Sequence, residues 1–372
     1  MHKLWPALLA LLFSHQAWSL VDDPLAYSRS LQAEFETFQG TKDWADVQAR
    51  LAEQRVVYVG EIHTRYSDHL FQLTLLDTLY RQNPELAIGV EWFQQAFQPW
   101  LDAYISGKID EGELLHQTEY FQRWRVDFRL LRPILHYARE NQIRVLALNA
   151  PSELTRQVAT LGRDSLSERQ KVLMPTIHPP GKEQQKRLES FFEGKIPPNR
   201  KIDDFIYAQR IWDETMAANI VDYLQTHPTH RMLVLAGNFH IAHQAAIPED
   251  VARQMPELAD RQLTLSSGNF EDFKAGYVDY FAYTEPQSLP KIGKIGAEFK
   301  TPSACIKQLV DDAPGQKAGL QVGDCIVAFN HQPIKHYADL ISALYQTSPG
   351  LVVTIDIKRN KTPQTFEITL SE

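Results

Sequence analysis

The segment VVYVGEIHTRYSDH, residues 56–69, decides how this chain is read. Four apolar β-formers lead into Gly60, and a carboxylate and two imidazoles follow at once: Glu61, His63 and His69. A short apolar run closed by a turn residue reads as a buried strand. A strand that ends by presenting charge feeds a site at its carboxyl end.

Three further runs repeat the plan: 86–90 (LAIGV), 144–148 (RVLAL) and 231–235 (RMLVL). Between them, LFQLTLLDTLYRQN, FQPWLDAYISG, DFRLLRPILHYAREN and DDFIYAQRIWDETMAANIVDYLQTH place apolar residues at three- and four-residue steps, the period of amphipathic helices. Strand and helix alternate, which predicts an α/β fold: a parallel-sheet core with helices on both faces. Residues 21–50 are polar, and 161–202 are polar and punctuated by prolines (MPTIHPPGK, GKIPPNRK). We expect the second of these stretches to form helical insertions and loops that make a lid or wall.

Each core strand ends in a polar signature: GEIH, GVEWF, LNAP and AGNFHIAH. In open parallel sheets, ligands bind outside the carboxyl ends of the strands. Glu61, His63, Glu91 and His240 are therefore expected in one crevice. His63 alone would read as a satisfied structural histidine, and the equivalent placement of the other three turns the reading toward function. His69 and His243 suit a helix surface as well as a site. The cluster offers three chemistries. Glu61, His63, Glu91 and His240 could hold a divalent metal ion, act as catalytic acid and base, or serve a haem whose iron takes His or Tyr while cations face the propionates.

Aromatic residues crowd 92–128 (Trp92, Phe97, Trp100, Tyr120, Trp124 and others), interleaved with Arg123, Arg125, Arg129 and Arg132. They suit a flat anionic ligand, and equally suit packed helices with a solvated face. G-x-S-x-G, H-E-x-x-H, P-loop and G-x-G-x-x-G signatures are absent at the strand ends, which removes support for serine hydrolase, zincin, NTPase and dinucleotide readings.

With 372 residues, 44% of them hydrophobic, the chain can bury a large core, and its length suggests two domains. A net charge of −8 without a Lys/Arg-rich run argues against nucleic acid. Residues 1–19 combine Lys3, an apolar run from Leu4 to Phe13, and small residues Ala17 and Ser19, the pattern of a cleaved secretory signal. The expected location is the periplasm or another extracytoplasmic space, with no transmembrane helix in the mature chain. Cys305 and Cys325 could pair in an oxidising compartment, subject to geometry.

Composition shifts at TEPQSLPKI, residues 284–292. Beyond it, short β-type runs (ACIKQLV, CIVAFN, LVVTIDIKR, TFEITL) surround one helix, HYADLISALYQT, giving a compact, mostly β module. We expect domains at 20–285 and 290–372.

In this order, VVYVGEIHTRYSDH, GVEWF, LNAPSEL, AQRIWDETMA and LVLAGNFHIAHQAAIP resemble the ChaN family of bacterial haem-binding, haem-uptake-associated proteins, within the wider Tiki/TraB/erythromycin-esterase group. The resemblance covers about residues 45–270. It implies haem binding in an exported protein, as a homodimer with the ligand near the subunit interface. By position, Gly60, Glu61 and His63 match the first family element, Glu91 the second-strand carboxylate, and Gly237 and His240 the last. Gln209, Asp213 and Met216 lie on the helix placed beside the cleft. His63, His240 or Tyr207 would ligate iron, and Arg123 or another cation would face the propionates. Many relatives carry a lipid-anchor cysteine, and the matching AWSL here has none. Within the same wider group, the alternative is a metal-dependent hydrolase of peptides or esters, and the remaining reading is a non-catalytic scaffold.

The C-terminal module resembles a PDZ domain through DDAPGQKAGLQVGDCIVAFNHQPI and the helix after it. Such a domain adds a peptide strand to a sheet edge and captures the peptide's terminal carboxylate on loop amides. The resemblance places that loop at Lys294, Ile295, Gly296 and Ala297, with a protein C-terminus or peptide as partner.

Overall fold

The computed structural model describes residues 24–25, 35–37 and 40–372. The expected signal segment, 1–19, lies outside the described residues. Among the described residues no helix is long and apolar enough to cross a membrane.

The first sheet has eight strands: β1 (Phe35–Thr37), β2 (Gly40–Lys42), β3 (Val56–Glu61), β4 (Leu86–Gln94), β5 (Arg144–Asn149), β6 (Arg231–Gly237), β7 (Gln262–Gly268) and β8 (Tyr280–Tyr283). Their spatial order is β2-β1-β8-β7-β3-β6-β4-β5. From β8 to β5 every neighbouring pair is parallel, while β1 and β2 add an antiparallel edge. Every residue of β3, β4 and β6 is buried, as expected for strands covered on both faces.

Successive side chains of a strand point to opposite faces, and the core divides accordingly. Val57, Val59, Ile88, Val90, Leu233 and Leu235 share one cluster with Leu70, Phe71 and Ile134 of helices Tyr66–Gln82 and Arg132–Glu140. Val56, Tyr58, Ala87, Val234 and Ala236 share the other with Met216, Ile220 and Val251 of helices Ile202–Thr226 and Ile247–Gln254.

The four expected core strands are present as β3 to β6. The sheet also recruits β7, whose LTLSS lacks a continuous apolar run. Its Thr264, Ser266 and Ser267 are buried because partners satisfy them: Asp279, Asn238 and Asp68 respectively. The polar stretch 21–50 contributes β1, β2 and helix Trp44–Ala52. Residues 161–202 contain helices Glu168–Leu173 and Lys182–Phe192, the expected insertions.

The C-terminal module is a separate antiparallel sheet of β9 (Ala297–Lys300), β10 (Cys305–Leu309), β11 (Cys325–Phe329), β12 (Gln332–Pro333), β13 (Val352–Arg359) and β14 (Thr362–Thr369), with helix Tyr337–Leu344. Its own core gathers Ile295, Ile306, Ile326, Leu340, Ile355 and Ile368, among others. Cys305 and Cys325, register partners on β10 and β11, form a disulfide.

Helix Tyr337–Leu344 docks on helix Glu111–Gln117 of the first domain. Ser342 Oγ donates to Glu111 at 2.7 Å, His116 and His336 stack at 3.4 Å between ring centroids, and Phe121 meets Tyr337 at 5.2 Å. Gly112 permits this approach, because a Cβ there would stand 2.5 Å from Asp339 Oδ1.

Replacing both cysteines by Ala should destabilise the C-terminal module by about 2–4 kcal/mol. Thermal unfolding of the double variant beside the oxidised and reduced parent checks this, and identical midpoints in all three would contradict it.

Candidate functional site

The register of the parallel ladder assembles the site. Gly60 lies level with Ala236, and Glu61 with Gly237, so the ends of β3 and β6 arrive together. A Cβ on Gly60 would stand 2.1 Å from Asn238 Oδ1, and one on Gly237 would stand 2.8 Å from His63 Cε1. Each strand end therefore gives up its side chain to admit a residue from the loop after the other strand.

Glu61 is 2% exposed and takes donors on both oxygens. Oε1 accepts from His63 Nδ1 at 2.8 Å and from Trp92 Nε1 at 3.1 Å. Oε2 accepts from Gln72 Nε2 at 2.8 Å and faces His69 Nδ1 at 3.1 Å. Burial opposes its charge, but the His69 charge and the bonds from His63 and His69 prevail and hold the carboxyl well below the usual range. The same contacts raise His63 and His69 against the burial that would lower them.

A second chain of charges lies beside the first. Glu91 Oε2 accepts from the Gly237 amide at 2.7 Å, and Oε1 lies 3.4 Å from His240 Nε2. His240 Nδ1 donates to Asp213 Oδ1 at 2.6 Å. Asp213 Oδ2 accepts from Gln184 of helix Lys182–Phe192, which ties the lid to the site. Burial disfavours the His240 charge, but Glu91 and Asp213 outweigh it and raise its pKa from 6.5 to about 10.

The four strand-end residues are thus brought together, with unequal roles. His240 is 7% exposed and has a carboxylate on each ring nitrogen. His63 keeps 39% of its side chain exposed and sits edge-on to Trp124, with 4.8 Å between ring centroids. Its Nε2 has no hydrogen-bond partner among the described residues. His69, which could have been a surface residue, is 1% exposed and belongs to the Glu61 cluster. His243 is exposed, with its ring centroid 5.3 Å from that of Tyr277.

Tyr207 and Arg123, also expected to help hold a cofactor, stand outside these two chains of charges, Arg123 bordering them through Trp92 and Trp124. Tyr207 packs against Leu154, Val158 and Ile211, in the satellite core under helix Ser152–Leu161. The Arg123 guanidinium is held by Glu119 and Glu153, beside a crevice of about 20 Å³ walled by Trp92, Phe97 and Trp124. That crevice has room for about one water. Beside it, Tyr120 OH and Trp124 Nε1 are buried without partners among the described residues.

The expected divalent-ion set is not assembled: among the described residues no group of three or more His, Cys, Asp or Glu is placed to hold a metal. The physical reason is visible in the bonds above, where the carboxylates face imidazoles and amides rather than a common centre. Gln72 was not foreseen, although its position one helical turn after His69 offered a signal.

In the C-terminal module, β9 ends the sheet, so its outer edge has no strand partner among the described residues. Of the expected loop, Lys294 N–H is engaged by the Ser371 carbonyl, while Ile295 and Gly296 N–H have no acceptor among the described residues. Gly296 has φ +77°, and a Cβ on it would meet Ala313 at 2.2 Å, so the loop requires glycine there. Phe299 of β9 and Tyr337 of the helix face each other at 5.9 Å.

Two predictions follow from the charge chains. The raised pKa of His240 contributes stability that is complete below 6.5 and is lost as pH climbs toward about 10. Urea midpoints across that window should decline less steeply in Asp213→Asn than in the parent, and equal slopes would refute the pairing. Gly237→Ala should push the His63 ring from Glu61, read as a lowered His63 pKa by NMR.

Residues 47–251 match the family described as "Haem-binding uptake, Tiki superfamily, ChaN", and residues 293–370 match the PDZ domain. Arabidopsis thaliana "Protein RETICULATA-RELATED 5, chloroplastic" is 26% identical over 238 residues, covering 58% of this chain and 32% of that protein. A "Probable periplasmic serine endoprotease DegP-like" of Pseudomonas putida (strain W619) is 37% identical over 71 residues, 19% of this chain and 15% of that protein. The chain thus spans a third or less of these curated relatives' lengths. Among solved structures, "Cofacial heme binding to ChaN of Campylobacter jejuni" aligns with a TM-score of 0.54 at 15% identity, covering 68% of this chain and 97% of that one, a likeness of fold.

Proposed function

The chain belongs to the ChaN haem-binding uptake family of the Tiki superfamily, and from that premise we propose that it binds haem at the carboxyl ends of β3 and β6. The observation that carries this reading is His63. Glu61 fixes its Nδ1 at 2.8 Å, so the partly exposed Nε2 is the nitrogen left to act as a donor. Metal-ligating histidines characteristically have their second nitrogen held in this way. His63 would hold the iron, and Trp124 would lie against its imidazole.

The bound haem would supply iron and a flat apolar ring. The chain's residues orient one imidazole, hold the proton on its Nδ1 by accepting it at Glu61, and shield that carboxylate from water behind Trp92 and Gln72. His240, with both nitrogens engaged, serves to hold Glu91 and the end of β6 in place. The metal-dependent hydrolase reading has no donor set of this kind behind it.

We further propose that the protein is exported, as the pattern of residues 1–19 suggests, and takes part in haem or iron uptake. The PDZ module would dock a protein C-terminus on the Ile295 and Gly296 amides and the free edge of β9.

Titrating the purified chain with haemin should give a saturable, stoichiometric Soret shift. His63→Ala should weaken it by about tenfold or more, while His63→Tyr should restore a distinct band. No shift with the parent would overturn the haem reading, and a shift indifferent to both substitutions would remove His63 from the site.

A further inference from the structure

One short segment of the first domain touches both the strand-end site and the C-terminal module. Helix Tyr120–Arg123 runs into Trp124, whose indole lies edge-on to His63, with 4.8 Å between ring centroids and 67° between planes. Phe121, earlier in the same turn, meets Tyr337 of the C-terminal module edge-on at 5.2 Å and 72°. Tyr337 in turn meets Phe299 of β9 at 5.9 Å. A run of ring contacts therefore leads from the free edge of β9 to the partly exposed imidazole.

Little within the segment fixes its place. One turn of helix has no stability of its own. Glu119 and Arg125, which bracket it, are left-handed at φ 50° and φ 64°, a region that glycine occupies freely and other residues do not. Tyr120 OH and Trp124 Nε1 are buried without partners among the described residues, and unmet buried donors are costly. Strain of this kind persists only where the surroundings over-determine the conformation.

The surroundings come from both domains. Tyr120 is buried against Phe93 and Phe128, at 6.0 and 5.2 Å between ring centroids, which holds the start of the segment in the core. Arg123 is bonded to Glu119, Gln94 and Glu153. The remaining hold is the C-terminal module's helix Tyr337–Leu344, which receives Phe121 on Tyr337 beside the stacked pair of His116 and His336. Edge-on aromatic pairs fix an angle as well as a distance, so the Phe121 contact sets how the turn is rotated.

We infer that Tyr337 is a positioning residue for the strand-end site: through Phe121 it sets the Trp124 indole against the His63 imidazole, and the site is complete only with the C-terminal module in place. What the site binds rests on the haem reading; the placement of His63 does not.

Variants of the full chain separate the two. In Tyr337→Ala the His63 Hε1 resonance, assigned by its loss in His63→Ala, should move in the same direction as in Trp124→Leu, because both withdraw the indole ring current. Haemin affinity should fall by about fivefold or more. Tyr337→Phe keeps the ring and should restore both readings. Ser342→Ala removes the boundary hydrogen bond, leaves the rings in place and should change neither. An unmoved His63 resonance in Tyr337→Ala overturns the inference, as does a moved resonance with unaltered haemin affinity, since the contact would then be structural only. The same shift in Ser342→Ala also overturns it, because loosened docking would explain the effect. If Tyr337→Ala unfolds the module by far-UV circular dichroism, Phe121→Leu reads the same contact from the first domain, and an unmoved resonance there is equally decisive. A parent chain that fails to bind haemin defeats the haem reading, and the resonance then decides the positioning role by itself.

Discussion

The carboxylate of Glu61 is the constraint around which the strand ends are organised. A buried, unpaired carboxylate would cost several kcal/mol, so its four donors are a structural obligation. They come from the β3 loop (His63), from two positions of helix Tyr66–Gln82 (His69, Gln72) and from β4 (Trp92). Satisfying one anion therefore fixes the helix entry, the second strand and the exposed imidazole together. Helix Lys182–Phe192 is tied to the second chain of charges through Gln184, which donates to Asp213, and to the loop after β6 through Arg187, which donates to the Phe239 and Ala242 carbonyls.

Much of the sheet was legible because its central strands carry unbroken apolar runs. β7 escaped because hydroxyl side chains break up its buried leucines, and the partners of Ser266 and Ser267, Asn238 and Asp68, are remote in sequence. The convergence of Glu61, His63, Glu91 and His240 could be read from strand-end position alone, since parallel register does the rest. The division of labour among them could not. That His63 has an open nitrogen and His240 has none depends on Asp213, on helix Ile202–Thr226 and far from His240 in the chain. Tyr207 and Asp213 share a helix, and only its rotation sends one into a satellite core and the other to the site.

The C-terminal module's docking is equally specific. Glu111 is buried and accepts from Arg132, His136 and, across the boundary, Ser342. Burial would raise its pKa, but His136 and Arg132 lower it, so the boundary is held by an ionised group with partners on both sides. The helix that packs there, Tyr337–Leu344, also carries Tyr337 opposite Phe299 of the free-edged strand. The first domain thereby forms part of the surroundings of the PDZ edge.

The pairing of Glu61 with His63 also bears on what a ligand must reorganise. An imidazole on a mobile loop would have to choose a tautomer and lose rotational freedom as it bound. Here those costs are met on folding: the carboxylate assigns the proton to Nδ1, and the absent side chain of Gly237 leaves a notch fitted to the ring. Ligands arriving at this face should therefore be sorted by how well they suit a fixed donor direction, with little room for the protein to adapt to a poor match.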